Sequence, residues 1–189
     1  AFHHVLEICS RLPGGTVLDA AGQQRLEHRY AAWSAEGVRV LAVAERRAPV
    51  QPAYTREDEH ELTFVGFLTF LDRPKEGVSS ALVDLGALGV SVKLITGDSK
   101  LVAQHVAALV GMRHERVLTG EDLDLLHDEA LWREAERTDL FVEVDPNQKE
   151  RIINALRRTG HVVGYLGDGI NDAPALHAAD VGISVDSAV

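Results

Sequence analysis

A dense group of small and polar residues lies near the C-terminal end of the sequence. Residues 164–176 read GYLGDGINDAPAL, so Asp168, Asn171 and Asp172 stand among glycines directly after an apolar run. Glycines let backbone N–H groups approach phosphate oxygens, and carboxylate oxygens are the ligands that Mg²⁺ prefers. An ordinary surface turn needs only one or two such residues. The group therefore indicates a phosphate or metal site.

Two other polar segments also follow apolar runs. They are Thr96-Gly97-Asp98 and the segment DPNQK, residues 145–149. In open parallel sheets, ligands bind beyond the carboxyl ends of the strands, where such loops can meet. The combined set of carboxylates, amide, hydroxyl and ammonium suits phosphoryl transfer. In that chemistry Asp168 would bind Mg²⁺, Lys149 would neutralise charge and Thr96 would donate a hydrogen bond to phosphoryl oxygens.

Strand and helix patterns alternate along the sequence, which predicts an α/β fold with a parallel sheet covered on both faces. Strands are predicted at residues 38–44, 62–71, 90–95, 140–144, 162–166 and 181–185. Helices are predicted at residues 20–36, from 78, at 102–109, in the polar stretch before Thr138, from Pro146 and at 173–178. Residues 45–61, with two prolines and an acidic run, predict a solvated connection.

Composition excludes several classes of function. A formal net charge of −10 provides no electrostatic footprint for nucleic acid or an anionic membrane. A single cysteine, Cys9, excludes an internal disulfide and is expected to be buried. No apolar run approaches the roughly 18 residues of a membrane span, and no leader pattern is present. The sequence begins abruptly at Ala1, which leads us to expect a piece of a longer protein.

The motifs resemble those of one protein family. Residues 167–176, GDGINDAPAL, resemble the hinge motif of P-type cation-transporting ATPases, which belong to the haloacid dehalogenase-like superfamily. Thr96-Gly97-Asp98 matches the family's second phosphate-site motif, and Pro146 with Lys149 matches the segment of its phosphate-binding lysine. The resemblance implies catalytic roles for Thr96, Gly97, Asp98, Lys149, Asn171 and Asp172, and Mg²⁺ binding by Asp168 and Asp172.

The resemblance extends to the first part of the chain. Residues 37–42, GVRVLA, resemble the end of a nucleotide-binding domain, and the arginine that matches Arg39 contacts ATP in the family. Residues 71–75, LDRPK, resemble the family's interdomain hinge, with Arg73 standing where the family has proline. The implied nucleotide-binding residues are Arg39, Asp72, Lys75 and Asp98.

The resemblance also implies a domain organisation. Residues 1–61 would be the C-terminal part of an α+β nucleotide-binding domain, and residues 62–75 would be the hinge and first strand into the next domain. Residues 76–189 would be a Rossmann-like phosphorylation domain with a three-layer parallel sheet.

The family's nucleophile, the aspartate of a DKTGT stretch, has no counterpart in this sequence. The nearest segment, Asp122-Leu123-Asp124, is expected on a polar helix. We therefore expect a cytosolic fragment of a pump, itself soluble, inactive alone and placed at the cytoplasmic face of the cell membrane. Its partners would be ATP and the pump's nucleophile segment, actuator domain and membrane helices. Two alternatives stay open: a soluble phosphatase of the same superfamily, and a non-catalytic regulatory module of the same fold.

Three features resemble the bacterial magnesium-transporting branch of the family. Glu143 stands where most relatives have arginine, and residues 160–164 and 181–189 are similar to that branch. The resemblance implies Mg²⁺ as the transported ion.

Overall fold

The computed structural model describes residues 2–167 and 170–184, and the chain divides into two compact units between Arg73 and Pro74. The elements of the first unit are α1 (Phe2–Glu7), β1 (Cys9–Arg11), α2 (Ala20–Ala35), β2 (Val38–Glu45) and β3 (Leu62–Leu71). Its sheet has the order β1-β3-β2. The central strand β3 pairs parallel with β1 and antiparallel with β2.

Residues at the two ends of α2 define where this helix starts and stops. The side chain of Asp19 accepts a hydrogen bond from the Gly22 N–H at 2.7 Å and so caps the start of α2. Gly37 adopts a φ of 79°, a conformation that glycine tolerates and that ends the helix before β2. A cluster of Phe2, Leu6, Cys9, Leu18 and Phe64 forms the buried core of this unit. The predicted burial of Cys9 is confirmed.

The strand β3 forms where it was predicted, but its partners differ from the expectation. It pairs with β2 from Val38 opposite Leu71 to Glu45 opposite Thr63, so it completes the sheet of the first unit. Residues 62–71 do not begin the sheet of the second unit. β2 and β3 follow one another along the chain, and strands that are consecutive in sequence commonly pair with each other. The roles of the two units as nucleotide-binding and phosphorylation domains stay predictions.

The second unit alternates helices and parallel strands, which confirms the predicted α/β class. Its elements are α3 (Val78–Ala87), β4 (Leu94–Ile95), α4 (Lys100–Leu109), β5 (Val117–Thr119), α5 (Gly120–Leu125), α6 (Asp128–Arg137), β6 (Leu140–Val142), α7 (Pro146–Arg158), β7 (Gly164–Leu166), α8 (Ala173–Ala178) and β8 (Val181–Ile183). Within the described ranges its strands form two sheets, β4-β6-β5 and β7-β8, whereas one continuous sheet was expected.

The central strand β6 lies in the core of the second unit. Leu140, Phe141 and Val142 are each 0% exposed, because a parallel strand covered on both faces needs apolar residues at every position. Ile152 and Ile153 of α7 belong to the same buried cluster as Phe141. Of the helices described, none combines the length and the apolar character that crossing a membrane requires.

The polar stretch before Thr138 is more structured than predicted. It contains α5 and α6 and the short strand β5, whereas a single helix was expected. Three residues among polar neighbours provide too little pattern to predict a strand, and β5 exists because it pairs with β6. The predicted placement of Asp122 and Asp124 on a helix is confirmed.

Candidate functional site

The loop after β4 is held by internal hydrogen bonds. The Thr96 hydroxyl donates to the Asp98 carboxylate at 3.2 Å, and the Asp98 N–H donates to the Thr96 hydroxyl oxygen at 3.1 Å. Such side-chain bonds to the backbone two residues away stabilise a tight turn. At Gly97 an added Cβ would lie 3.4 Å from the Val144 carbonyl oxygen, so the neighbouring loop passes close by. The turn therefore presents both polar groups in a defined conformation.

Backbone hydrogen bonds join this loop to the loop after β6. The Thr96 N–H donates to the Phe141 carbonyl at 2.9 Å, and the Val144 N–H donates to the Thr96 carbonyl at 3.3 Å. The Glu143 N–H donates to the Asp98 carbonyl at 3.0 Å. The structure thus brings together the ends of two adjacent parallel strands.

The start of α7 carries a capping box that sets the direction of the helix. The Asp145 carboxylate accepts from the Gln148 N–H at 2.8 Å, while the Gln148 side chain accepts from the Asp145 N–H at 3.0 Å. Pro146 occupies the first turn, where its missing N–H has no cost. Lys149 therefore lies in the first turn of a helix that begins directly behind β6.

Lys149 forms an ion pair with Asp172. Its Nζ lies 2.7 Å from Oδ1 of Asp172, and the two side chains are only 14% and 11% exposed. The Tyr165 hydroxyl donates to the same oxygen at 2.9 Å. Two donors on one carboxylate oxygen, in a largely buried setting, fix the position of the ammonium group.

Gly167 has a steric role beside this pair. A Cβ added at Gly167 would lie 2.7 Å from the Asp172 Cβ and 2.9 Å from its Oδ2. Only glycine lets the chain after β7 pass this close to the carboxylate. The structure thus brings Lys149 and Asp172 into contact, while the predicted gathering of Thr96, Lys149 and Asp168 at one edge stays a prediction.

The remaining predicted residues differ in what the structure says about them. Asp168 lies outside the described residues, so its role as the Mg²⁺ ligand stays a prediction. Asn171 is exposed in a 3₁₀ turn, Ile170–Asp172, which leads into α8.

The predicted nucleotide-binding residues outside the Thr96 loop are all exposed. Arg39 lies on β2 opposite Phe70, and Asp72 lies at the end of the first unit. Lys75 is exposed at the start of the second unit.

Residues 122 and 124 both have structural partners. Asp122 belongs to the capping box of α5, and the backbone N–H of Thr119 is the main cause that lowers the pKa of its carboxyl. Asp124 accepts from the Gln148 side-chain amide at 2.8 Å. Over residues 2–167 and 170–184, no group of three or more His, Cys, Asp or Glu side chains could hold a metal ion.

The sequence did not indicate the contacts of two residues, Tyr165 and Glu143. Tyr165 was taken as an apolar strand residue, and Glu143 was singled out only by resemblance. The Tyr165 hydroxyl donates to Asp172, 7 residues away, and the Glu143 carboxylate accepts from the Lys100 N–H, 43 residues away, so no local pattern indicated these contacts. The capping box, by contrast, could have been found from the spacing of Asp145 and Gln148.

The chain is similar in sequence to several transport ATPases. The chain is similar to the magnesium-transporting ATPase, P-type 1, of Escherichia coli (strain K12), with 45% identity over all of this chain and 22% of that relative. The protein of the same name from Salmonella typhimurium (strain 14028s / SGSC 2262) is 46% identical over all of this chain and 21% of its own length. The calcium-transporting ATPase type 2C member 1 of Homo sapiens is 33% identical over 98% of this chain and 20% of its own length.

The chain thus spans about a fifth of the length of the curated relatives it matches. A family model described as haloacid dehalogenase-like hydrolase matches residues 13–180. Since that match covers most of the sequence, the chain belongs to the haloacid dehalogenase-like hydrolases.

Proposed function

We propose that this chain is part of a P-type ATPase that couples ATP hydrolysis, through an aspartyl-phosphate intermediate, to cation transport across a membrane. The largely buried Lys149–Asp172 pair carries the proposal, because it fixes a cation in the first turn of α7, next to the loop after β6 that contacts the Thr96 loop. The identities of 45% and 46% to two magnesium-transporting ATPases support Mg²⁺ as the transported ion. The identity to the calcium-transporting relative is lower, at 33%.

Each predicted residue has a role in this proposal. The Lys149 ammonium and the Thr96 hydroxyl contact the phosphoryl oxygens, and Gly97 lets the Thr96 loop approach them. Asp98 orients the Thr96 hydroxyl by accepting its hydrogen bond. A hydroxyl has only one hydrogen, so in this proposal Thr96 exchanges that bond for one to a phosphoryl oxygen. Asn171 orders the loop between β7 and α8.

Mg²⁺ would be held chiefly by Asp168, and it would supply charge neutralisation to the phosphoryl group. Asp172, the second predicted ligand, already accepts hydrogen bonds from Lys149 and Tyr165 on one oxygen. In this proposal its main role is therefore to position the lysine. The hard carboxylate oxygens of these two residues fit a Mg²⁺ ion.

ATP is the nucleotide substrate in this proposal. The candidates for binding it are Arg39, Asp72, Lys75 and Asp98, which are positively charged or hydrogen-bonding groups suited to phosphate and ribose. The nucleophilic aspartate would come from another segment of the pump, at the cytoplasmic face of the membrane. In this proposal the chain alone forms no phosphoenzyme.

A chimeric pump tests the proposal. The chain replaces the matching segment of the E. coli magnesium-transporting relative, and the purified chimera is incubated with radiolabelled ATP. We expect a phosphoprotein that is stable in acid and cleaved by hydroxylamine, as an acyl phosphate is. Lys149→Met and Asp168→Asn should each lower its formation at least about 100-fold, because each removes an electrostatic contributor to the transition state. Arg133→Met, which removes an exposed cation on α6, is the control and should retain normal formation.

Two results would contradict the proposal. The first is a folded chimera that forms no phosphoenzyme while the parent relative does. The second is phosphatase activity of the isolated chain on p-nitrophenyl phosphate with Mg²⁺, which would favour the soluble phosphatase instead.

A further inference from the structure

Glu143 has an unusual backbone conformation. Its φ is 58°, in the left-handed region, and among the described non-glycine residues only Glu61 shares that region. The short side chains of asparagine and aspartate can stabilise this conformation by local hydrogen bonds, but the longer glutamate side chain does not. Such a conformation persists when surrounding contacts impose it, and it is frequent at functional sites. The contacts of Glu143 therefore indicate what imposes it.

Glu143 binds the segment after β4 at two points. Its N–H donates to the Asp98 carbonyl at 3.0 Å, and its Oε1 accepts from the Lys100 N–H at 3.0 Å. Lys100 is the first residue of α4, so its N–H has no acceptor within the helix. A carboxylate is also favoured electrostatically at this end of a helix.

The residue that would ordinarily cap α4 does not do so. Ser99 occupies the N-cap position without a side-chain capping bond, and its buried Oγ has no hydrogen-bond partner among the described residues. Glu143, which lies 43 residues further along the chain, supplies an acceptor in its place. The start of α4 thus depends on the loop after β6.

A third loop also approaches Glu143 closely. A Cβ added at Gly120, directly after β5, would lie 2.5 Å from the Glu143 carbonyl oxygen. The Gln148 side-chain amide also donates to the Gly120 carbonyl at 3.0 Å. The loops after β4, β5 and β6 therefore all contact Glu143 or its immediate neighbours.

We propose that Glu143 is a positioning residue, whose carboxylate holds the start of α4 and thereby the Thr96 loop in the geometry that phosphoryl transfer requires. This inference rests on the proposed function. Glu143 acts through the loop rather than by touching substrate. A displacement of the loop by about 1 Å is enough to slow such a reaction by up to about 100-fold.

Two conservative substitutions separate side-chain length from charge. Glu143→Asp retains the charge and suits a left-handed φ, but it is one methylene shorter and cannot reach the Lys100 N–H from the same backbone. Glu143→Gln retains the length and an acceptor oxygen but loses the charge. Because the Glu143 side chain is exposed, neither change disturbs the core.

Hydrogen exchange measured by NMR on the chain itself tests the contact. In Glu143→Asp, exchange of the Lys100 amide should accelerate at least about fivefold, because its acceptor is lost. The Ala103 amide, which donates to the Ser99 carbonyl at 3.0 Å, is the internal control and should change little. Glu143→Gln should leave both rates within about twofold of the original chain. Glu61→Asp, at the other left-handed glutamate, is the matched variant and should leave the Lys100 rate unchanged.

Phosphoenzyme formation in the chimera tests the consequence. Glu143→Asp should form phosphoenzyme about tenfold more slowly at an unchanged melting temperature, while Glu143→Gln should stay within about threefold. If the shorter side chain prevents folding, Glu143→Gly replaces it, since glycine accepts the φ and also lacks the carboxylate.

The outcomes distinguish this inference from the proposed function. An unchanged Lys100 exchange rate in Glu143→Asp would overturn the contact, whatever the chimera does. Faster exchange with normal phosphoenzyme formation would overturn the positioning role. A parallel fall of melting temperature and phosphorylation would also overturn it, because the residue would then act only on stability. If the chimera with Glu143 intact forms no phosphoenzyme, the proposed function is overturned. The exchange rate of the Lys100 amide then still tests the contact by itself.

Discussion

Breaking the Lys149–Asp172 pair should destabilise the second unit by a measurable amount. Removal of one partner from a fully buried pair costs about 3–5 kcal/mol. Here the side chains are 14% and 11% exposed, and the Tyr165 hydroxyl still donates to Asp172. We therefore expect Lys149→Met to lower the free energy of unfolding by about 2–3 kcal/mol.

The double substitution provides the sharper test. Lys149→Met alone leaves the Asp172 carboxylate without its cationic partner. In the double variant, Asp172→Asn also removes the negative charge of that carboxylate. The combined loss should be smaller than the sum of the single losses by about 1–2 kcal/mol. Tyr165→Phe removes only the hydroxyl and should cost about 1.5 kcal/mol, the value for a hydrogen bond to a charged acceptor.

Urea unfolding followed by tryptophan fluorescence measures these changes. Trp132 packs against the core cluster of the second unit, whereas Trp33 lies in the first unit beside Phe67. A Trp33→Phe background therefore makes the signal specific to the second unit. Single losses that add to within about 0.5 kcal/mol would refute the coupling that the 2.7 Å contact implies.

Two further substitutions test other contacts of this unit. Gly167→Ala should lower the free energy of unfolding by about 1–3 kcal/mol, because its Cβ would lie 2.7 Å from the Asp172 Cβ. Gly164→Ala, whose Cβ would have no neighbour closer than 3.8 Å, is the control, and equal losses in the two variants would contradict the steric argument. Asp180→Asn should destabilise the unit at neutral pH but not in strong acid, because the backbone N–H of Val163 lowers the pKa of the Asp180 carboxyl from its usual 3.8. That stabilisation is complete above the usual value and is lost as pH falls through the folded-state pKa. A melting-temperature difference between the two proteins that is as large in strong acid as at neutral pH would contradict it.

The sequence predicted those features that depend on local pattern. Leu26, Tyr30 and Trp33 recur at helical spacing and lie on α2, and Pro146 begins α7 as expected. The polar loops after β4 and β6 do meet, since strand ends in a parallel sheet share one edge.

Features that depend on distant partners could not be predicted. The pattern at 90–95 indicated a long strand, but only Leu94 and Ile95 pair with β6. The pairing of β3 within the first unit depends on the register with β2, which periodicity does not specify. The left-handed backbone of Glu143 likewise results from contacts with residues 98, 100 and 120 rather than from its own propensity.

The short connection between the units has a consequence for proteases. Residues 72–77 are exposed and contain no regular helix or strand, as a cleavage site requires. Within this segment the bond after Arg73 precedes proline and resists trypsin, so Lys75–Glu76 is the susceptible bond. The core clusters lie on either side of that bond, one formed around Phe64 and the other around Phe141. One cut there would sever the chain and leave each hydrophobic core intact within its own fragment.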